Sequence, residues 1–305
     1  MNTRADARRD LHGIVLLDKP ERMTSNQALQ AVKRALRARK AGHTGSLDPL
    51  ASGLLPICLG EATKVSAFLL EADKEYEVTG RLGNRTATGD AEGAVIATCA
   101  VPELDAAAIE LVLAGFRGEI RQTPPMYSAL KHQGQRLYDL ARAGIEVPRA
   151  PRAMQVHALE LLGFDPPHLS LQVRCSKGLY VRTLVEDIAH ALGTCAYVVA
   201  LRRLAVGPFG REHRMQTLAE VQQRAALAPD ATDEWLLPIE SALAHWPEAR
   251  LGVDAEWYFC RGQTIMTGQV VAPGPVRVYG TQRLLGIGEA LTDGRIAPRR
   301  LLNLG

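Results

Sequence analysis

The alternation of apolar and polar residues predicts several strands. Residues 13–20, GIVLLDKP, form an apolar run that ends in a turn, which is typical of a buried strand. In residues 74–83, Tyr76, Val78 and Leu82 alternate with polar residues, and residues 169–176 repeat this period of two. We therefore predict two strands with one apolar face each, and Tyr76 lies on the apolar face of the first.

Two other segments are predicted to be helical. Leu29, Val32 and Leu36 recur at helical intervals after Ser25, which we predict to be the N-cap residue. A second helix is predicted over residues 183–192, because Gly193 is a common helix terminator. The mixture of half-buried strands and helices indicates an α+β protein with a mixed, largely antiparallel sheet and flanking helices.

The character of the chain changes near residue 250. Residues 229–250 contain three prolines and are the best candidate for a linker. About 55 residues of short strands and glycine-rich turns follow, which suggests a small β-barrel-like module. The sequence thus predicts a disordered tail over residues 1–10, a first domain over residues 11–249 and a second over residues 250–305.

Composition limits the function classes. The chain has 305 residues, of which 47% are hydrophobic, so it can bury an ample core, and no apolar run approaches a membrane span. Five cysteines without a CxxC pair argue against disulfide and zinc frameworks, and we expect a reducing, cytoplasmic location. The eight histidines lack metal-binding spacing, and no phosphate-cradling or dinucleotide motif occurs. We predict neither a metal nor a cofactor.

Basic residues cluster although the net charge is only +3. One run without acidic residues lies just before residue 41 and contains Lys33, Arg34, Arg37, Arg39 and Lys40. Residues 122–152 read as a projecting insertion with a short helix near residues 136–143, and their basic residues are Lys131, Arg136, Arg142, Arg149 and Arg152. Each cluster is either a solvated surface or a contact for a polyanionic substrate.

The candidate for chemistry is Asp48. It lies in a turn-prone GSLDP segment between Gly45 and Pro49, and an apolar segment follows at residues 54–59. A carboxylate held on a rigid loop against an apolar wall can serve as a nucleophile or as an acid/base group. Taken alone, however, the same pattern is more often an ordinary Asx-turn or a helix N-cap.

The segment around Asp48 resembles the catalytic segment of the TruB family of tRNA pseudouridine synthases. Residues 42–55, GHTGSLDPLASGLL, carry the family pattern Gly-His-Thr-Gly-x-Leu-Asp-Pro-x-Ala-x-Gly-Leu-Leu. Residues 15–25, 73–93, 176–193 and 201–209 are similar to further family segments. The first of them has Arg22 where the family usually has glycine, and an arginine adopts the positive φ that glycine permits only at a cost. The resemblance covers nearly the whole chain from His12 onward and is weakest over residues 219–250.

The resemblance implies a pseudouridine synthase fold with a small C-terminal PUA-like, RNA-binding β module. It implies isomerisation of uridine to pseudouridine at position 55 in the T arm of tRNAs, as in the bacterial members, with the target base flipped out of its stack. The implied catalytic residues are Asp48 as nucleophile, Tyr76 and Arg182, and the implied substrate-binding residues are His43, Tyr76, Tyr180 and Leu201. The expected partner is tRNA, bound by a monomer without a protein partner or a membrane.

Two other readings stay open. The protein could act mainly as a tRNA-binding folding factor, which would need the basic surfaces but not Asp48. It could also be a retaining glycoside hydrolase, which would need a second carboxylate about 5–5.5 Å from the first. Glu61 and Asp90 are candidates for that second carboxylate by residue type alone. For the C-terminal module, the alternative to RNA binding is that it only covers an apolar face of the first domain.

Overall fold

The computed structural model describes residues 8–227, 235–268 and 271–304. Within these residues, nine strands form one large sheet. They are β1 (Gly13–Lys19), β2 (Ala41–His43), β3 (Ser52–Leu59), β4 (Lys74–Leu82), β7 (Gly118–Gln122), β10 (Arg152–Asp165), β11 (His168–Cys175), β12 (Ala196–Val206) and β13 (Gln216–Thr217). Two two-stranded hairpins stand apart from the sheet: β5 (Asn84–Thr86) with β6 (Val95–Thr98), and β8 (Lys131–His132) with β9 (Gln135–Arg136).

The large sheet is mixed and largely antiparallel, as predicted. Its spatial order is β13-β1-β3-β12-β4-β11-β10-β7, with β2 paired to β3. Only the β1–β13 and β3–β12 pairs are parallel among the pairings of this sheet in the described residues. Both strands predicted from alternation are present as β4 and β11, and they pair with each other in register, Val78 opposite Leu171.

Seven α-helices are present in the described part of the chain. They are α1 (Ser25–Ala35), α2 (Ser66–Glu71), α3 (Ala106–Ala114), α4 (Leu137–Arg142), α5 (Val181–Ala191), α6 (Leu218–Leu227) and α7 (Val253–Phe259). Two 3-10 helices span Gly60–Lys64 and Ile239–Leu243. Helices α1, α3 and α5 pack on one face of the sheet, where the larger apolar core forms. No helix in these ranges is both long and apolar enough to cross a membrane.

The N-cap prediction for α1 was wrong by one residue. Thr24 caps the helix, because its hydroxyl accepts a bond from the Gln27 backbone nitrogen (3.1 Å) while the Gln27 side chain accepts one from the Thr24 nitrogen (2.8 Å). Ser25 is instead the first helical residue and directs its hydroxyl elsewhere. Helix α5 begins at Val181, two residues before the predicted start, and Gly193 follows it at φ +80°.

The C-terminal strands form a curled sheet of their own. In the described residues these are β14 (Glu248–Arg250), β15 (Ile265–Met266), β16 (Gly274–Tyr279), β17 (Leu284–Ala290) and β18 (Arg295–Leu301), in the order β14-β16-β17-β18-β15. One side of this sheet has its own small core around Val276 and Val278. The other side contributes Leu284, Ile287 and Leu302 to a core shared with β1 and β3. The module therefore covers an apolar face of the large sheet.

Two expectations about the chain's ends and joints are corrected. Part of the predicted linker, residues 228–234, lies outside the described residues, but Ile239, Ala242 and Leu243 are buried in the shared core, so this part is not an exposed linker. Residues 1–7 of the predicted tail also lie outside the described residues. Arg9, however, forms a parallel bridge with Ala38, so the tail is ordered by that point.

A disulfide bond contradicts the expectation from the cysteine pattern. Cys99 and Cys195 are joined, although they are 96 residues apart in the chain. Gly83 lies between the two segments, since its nitrogen donates to Cys195 O (2.8 Å) and its carbonyl accepts from Cys99 N (2.9 Å). The sequence offered no local spacing signal because folding alone brings these segments together.

Candidate active site

The loop that carries Asp48 joins β2 to β3 and is held from several sides. The hydroxyl of Ser25, at the start of α1, donates to Leu47 O (3.0 Å) and accepts from Leu47 N (2.7 Å). The backbone nitrogen of Arg22 donates to Pro49 O (2.7 Å). The residues on both sides of Asp48 are thus tied to the segment between β1 and α1, and the carboxylate has a defined position.

A buried lysine secures the same junction. Lys19 ends β1 fully buried, and its Nζ donates to the carbonyls of Met23 (2.6 Å) and Pro20 (2.8 Å), with Pro49 O at 3.5 Å. Burial lowers the pKa of Lys19 to about 8, opposed by the nearby negative charge of Asp48. Lys19 therefore adds positive charge beneath the Asp48 loop without being accessible to solvent.

Gly53 is required by close packing below the loop. Its φ is +97°, and a β-carbon there would lie 2.3 Å from the carbonyl oxygen of Arg203 on the neighbouring strand β12. No side chain fits in that space, so the glycine allows β3 and β12 to approach each other beneath Asp48.

Arg182 lies directly against Asp48. Its Nε is 3.0 Å from the Asp48 carboxylate, and its Nη1 is 3.4 Å from Asp90. The guanidinium also donates to the carbonyls of Thr88 (2.5 Å) and Tyr127 (2.8 Å). The Arg182 side chain is only 8% exposed. A buried arginine with several fixed acceptors is a preorganised cation that orients the carboxylate beside it.

Asp90 completes this network. It is buried, and its Oδ1 accepts from Thr88 Oγ1 (2.5 Å) and from the Glu92 backbone nitrogen (3.1 Å). Asp90 therefore fixes Arg182 at Nη1, while Asp48 pairs with Nε. Glu61, the other candidate for a second carboxylate, is occupied elsewhere: it pairs with Lys64 (2.5 Å) and accepts from Asn303 N (2.7 Å) near the C-terminal module.

The cleft perturbs the ionisation of Asp48. Burial raises the pKa of Asp48, and the positive charge of Arg182 opposes that rise while Asp90 adds to it. The Asp48 side chain still keeps 39% exposure, so water reaches the carboxylate and the rise is smaller than full burial would give. The cations around Asp48 thus favour the ionised form that a nucleophile needs.

Tyr76 is linked to the Asp48 loop through Arg203. Arg203 on β12 is directly opposite Tyr76 on β4, so its positive charge lies close to the Tyr76 hydroxyl. Arg203 is 1% exposed, and its guanidinium donates to Leu54 O (2.8 Å) and to Gly45 O (3.2 Å). Burial raises the pKa of the Tyr76 hydroxyl and Arg203 opposes that rise. The phenol therefore stays protonated and can donate or relay a proton.

The remaining predicted residues surround this centre. Tyr180 precedes α5, and Gln122 clamps its backbone: Tyr180 N donates to Gln122 Oε1 (3.1 Å) and Gln122 Nε2 donates to Tyr180 O (3.4 Å). Leu201 lies on β12 opposite Val78 and belongs to the larger core. His43 ends β2, and burial lowers its pKa, with the charge of Arg203 adding to the effect. His43 is therefore neutral at neutral pH.

Sequence reasoning missed four residues that shape the site. Lys19, Ser25 and Arg203 hold the Asp48 loop, and Gln122 holds Tyr180. Arg203 could have been predicted: strand β12 is otherwise apolar, and of its two adjacent arginines one must face inward, because successive side chains alternate faces. Ser25 and Gln122 left none, since a serine at a helix start and a glutamine at a strand end are common.

Three models of pseudouridine synthase families match successive parts of the chain. Residues 33–181 match the model of the TruB family pseudouridylate synthase N-terminal domain. Residues 182–244 match that of the tRNA pseudouridylate synthase B C-terminal domain, and residues 247–302 match pseudouridine synthase II TruB, C-terminal.

Curated relatives are similar over nearly their full length. The chain is 52% identical to tRNA pseudouridine synthase B of Coxiella burnetii over 297 residues, which are 97% of this chain and 96% of the relative. It is 51% identical to the protein of that name from Pseudomonas paraeruginosa, over 97% of each chain. Among solved structures, a chain of a Cbf5-Nop10-Gar1 complex superposes with a TM-score of 0.73 at 26% identity, covering 95% of this chain and 84% of that one.

Proposed function

Because the chain belongs to the TruB family of pseudouridine synthases, we propose that its substrate uridine is residue 55 in the T arm of tRNA and that Asp48 is the nucleophile. The enzyme is a tRNA pseudouridine synthase. Its fold is the pseudouridine synthase fold with a PUA-like C-terminal module. The observation that best supports the proposed mechanism is the ion pair of Asp48 with the buried Arg182, at 3.0 Å.

The reaction needs only what the site contains. The bond between uracil N1 and the ribose C1′ breaks, the base turns, and a C5–C1′ bond forms. C5 loses its proton and N1 gains one, so the product is an isomer and no oxidant or energy source is consumed. Asp48 supplies the nucleophile that adds during the exchange and leaves at its end, and Arg182 holds it ionised.

Four other residues have supporting roles in this proposal. Tyr76 stacks on the flipped uracil, and its protonated hydroxyl can mediate proton transfer. Tyr180 and Leu201 line the base pocket. His43, being neutral, occupies the space that the flipped base leaves without adding charge.

Two basic surfaces would bind the tRNA backbone. The insertion over residues 122–152 contacts the site directly, since Tyr127 O accepts a bond from Arg182. The basic run at the end of α1 leads into β2, which ends at His43. Flipping a base costs a few kcal/mol, and phosphate contacts of this kind would offset part of it.

The test is release of tritium from tRNA labelled at uracil C5, because that atom loses its hydrogen only if the C–C bond forms. We expect about one equivalent released per unmodified transcript, and none from a matched transcript with cytidine at position 55. Release that is equal from both transcripts would refute position 55. For a protein that only folds tRNA, neither transcript would release tritium although both would bind.

A further inference from the structure

Arg22 lies on the rim of the candidate active site. It is in the turn between β1 and α1, and its backbone nitrogen bonds Pro49 O, the residue after Asp48. Lys19 Nζ contacts the carbonyl of Met23 in the same turn and the carbonyl of Pro49 in the Asp48 loop. The turn and the Asp48 loop therefore form one unit, and the Arg22 side chain leaves this unit toward solvent.

The backbone at Arg22 is left-handed, with φ 59°. A residue with a β-carbon is disfavoured there, whereas glycine adopts this conformation freely. Arg22, at the position where the family usually has glycine, therefore keeps the backbone conformation that suits glycine and is locally strained. A strained residue beside a catalytic group points to a function of its side chain.

The other cations of the site are not available to bind RNA. Lys19 is buried with its Nζ on backbone carbonyls, Arg182 is committed to Asp48 and Asp90, and Arg203 is buried under Gly45. The carboxylates of the site, in contrast, lie close enough to interact: besides burial, the nearby Asp90 and Asp48 raise the pKa of Glu92, while Arg182 and Lys19 oppose that rise. This cluster repels a phosphate backbone that approaches the cleft.

Arg22 can counter that repulsion. Its side chain is exposed, and within the described residues it makes no hydrogen bond or ion pair, even with its neighbour Glu21. An exposed guanidinium without a protein partner is suited to bidentate binding of phosphate.

We propose that Arg22 is a substrate-binding residue that contacts a phosphate of the RNA strand entering the cleft. The inference rests on the proposed function, because it takes the strand to be that of the flipped uridine. Arg22 would add affinity and orientation without touching the reacting base.

The test compares Arg22→Gly, Arg22→Ala and Arg22→Lys with Arg174→Ala. Arg174 is a matched control, because it is also exposed but lies on β11 opposite Glu75, on the sheet face away from Tyr76. For each protein one measures the Kd for unmodified tRNA at several salt concentrations, the single-turnover rate at saturating tRNA, and the Tm.

We expect Arg22→Gly and Arg22→Ala to raise the Kd about three- to tenfold and to reduce the slope of log affinity against log salt by roughly 0.7–0.9, the value for one phosphate. The rate at saturation should change less than the Kd. Arg22→Lys should retain most of the affinity, and Arg174→Ala should match the wild type. Arg22→Gly should also melt higher than Arg22→Ala, because glycine relieves the left-handed strain.

Wild-type Kd and salt slope in both Arg22→Gly and Arg22→Ala would overturn the proposal, whatever their Tm. An equal loss in Arg174→Ala would also overturn it, since the effect would then be general charge. Failure of the proposed function looks different: the wild-type protein itself would release no tritium from tRNA.

Discussion

At the scale of single residues, the ionisation of Asp48 is governed by a few buried charges next to its carboxylate. Asp48 keeps partial access to water, whereas Arg182 and Asp90 are almost fully buried. Breaking a buried pair leaves an unpaired charge, which is far more damaging than losing a surface pair. Arg182 should therefore have the largest effect of any side chain on the pKa of Asp48, and the pH dependence of the reaction rate tests this.

The rate should fall as the pH drops through the raised pKa of Asp48, because the proposed nucleophile is the ionised carboxylate. Carboxyls of aspartate ordinarily titrate near 3.8, and burial moves this group upward. Arg182→Met removes a charge that lowers this pKa, so the acid inflection should move to higher pH, and the plateau rate should fall about a hundredfold. The measurement is single-turnover pseudouridine formation against pH.

Arg202→Met is the control for this experiment. Arg202 also pairs with an aspartate, Asp18, at 2.8 Å and 3.0 Å, but on the other face of the sheet. Its pH profile should superimpose on that of the wild type. An inflection that stays in place when Arg182 is removed would contradict the account of Asp48 ionisation.

At the scale of elements, the start of α1 does two separate jobs with two adjacent residues. Thr24 caps the helix, and Ser25 bonds both backbone groups of Leu47 in the Asp48 loop. The hydroxyls are alike in type, but only one of them reaches the site.

We therefore expect Thr24→Ala and Ser25→Ala to differ in activity rather than in stability. Thr24→Ala should lower the free energy of unfolding by about 0.5–2 kcal/mol with a wild-type single-turnover rate. Ser25→Ala leaves the Leu47 groups unpaired, so it should lower stability by about 1–3 kcal/mol and also slow the reaction at saturating tRNA. Chemical denaturation and single-turnover kinetics measure both; equal rates in the two variants would contradict the positioning role of Ser25.

The disulfide is the second feature at this scale. It ties the segment after the β5–β6 hairpin to the start of β12, and Asp90 lies inside that hairpin. Cys195→Ser should lower the free energy of unfolding by roughly 2–5 kcal/mol in the absence of reductant, whereas Cys260→Ser, at an exposed free thiol, should not. Thiol titration of the unreduced, denatured protein should find three thiols, and five would contradict the bond.

The elements also show what the sequence can and cannot predict. Strands β4 and β11 followed from strict alternation and α1 from helical spacing, because these patterns record which face is buried. Helix α5 was predicted from its end at Gly193. The choice of Thr24 over Ser25 as N-cap could not be predicted, since both hydroxyls suit that position. The Cys99–Cys195 bond and the Gln122 clamp on Tyr180 depend on contacts between distant segments, which no local pattern encodes.

At the scale of the whole molecule, the C-terminal module and the large sheet share a core. Ile14, Leu16 and Leu54 of β1 and β3 pack with Ile287 and other residues of the module. Lys64 adds a bond to Leu301 O (2.7 Å) across the same boundary. The module has a structural role, because it shares this core with the large sheet. An RNA-binding role of the module remains a prediction.

Removing the module should consequently destabilise the entire protein. A chain that ends at Arg250 exposes the apolar face of β1 and β3, so its Tm should fall well below that of the full chain. Ile287→Ala should lower stability by about 2–5 kcal/mol in a single transition that includes the large sheet. Circular dichroism melting checks both; a truncated protein that melts at the full-length Tm would show that the module is independent.

The central claim is that Asp48 isomerises one uridine of tRNA. The most direct measurement is a nucleotide-resolution map of pseudouridine in an unmodified tRNA transcript after incubation with the wild-type protein or with Asp48→Asn, whose carboxamide keeps the shape but is a far poorer nucleophile. The account predicts pseudouridine at position 55 with the wild type, none with Asp48→Asn, and similar tRNA binding by both proteins. Wild-type levels of pseudouridine with Asp48→Asn, or none with the wild-type protein, would contradict it.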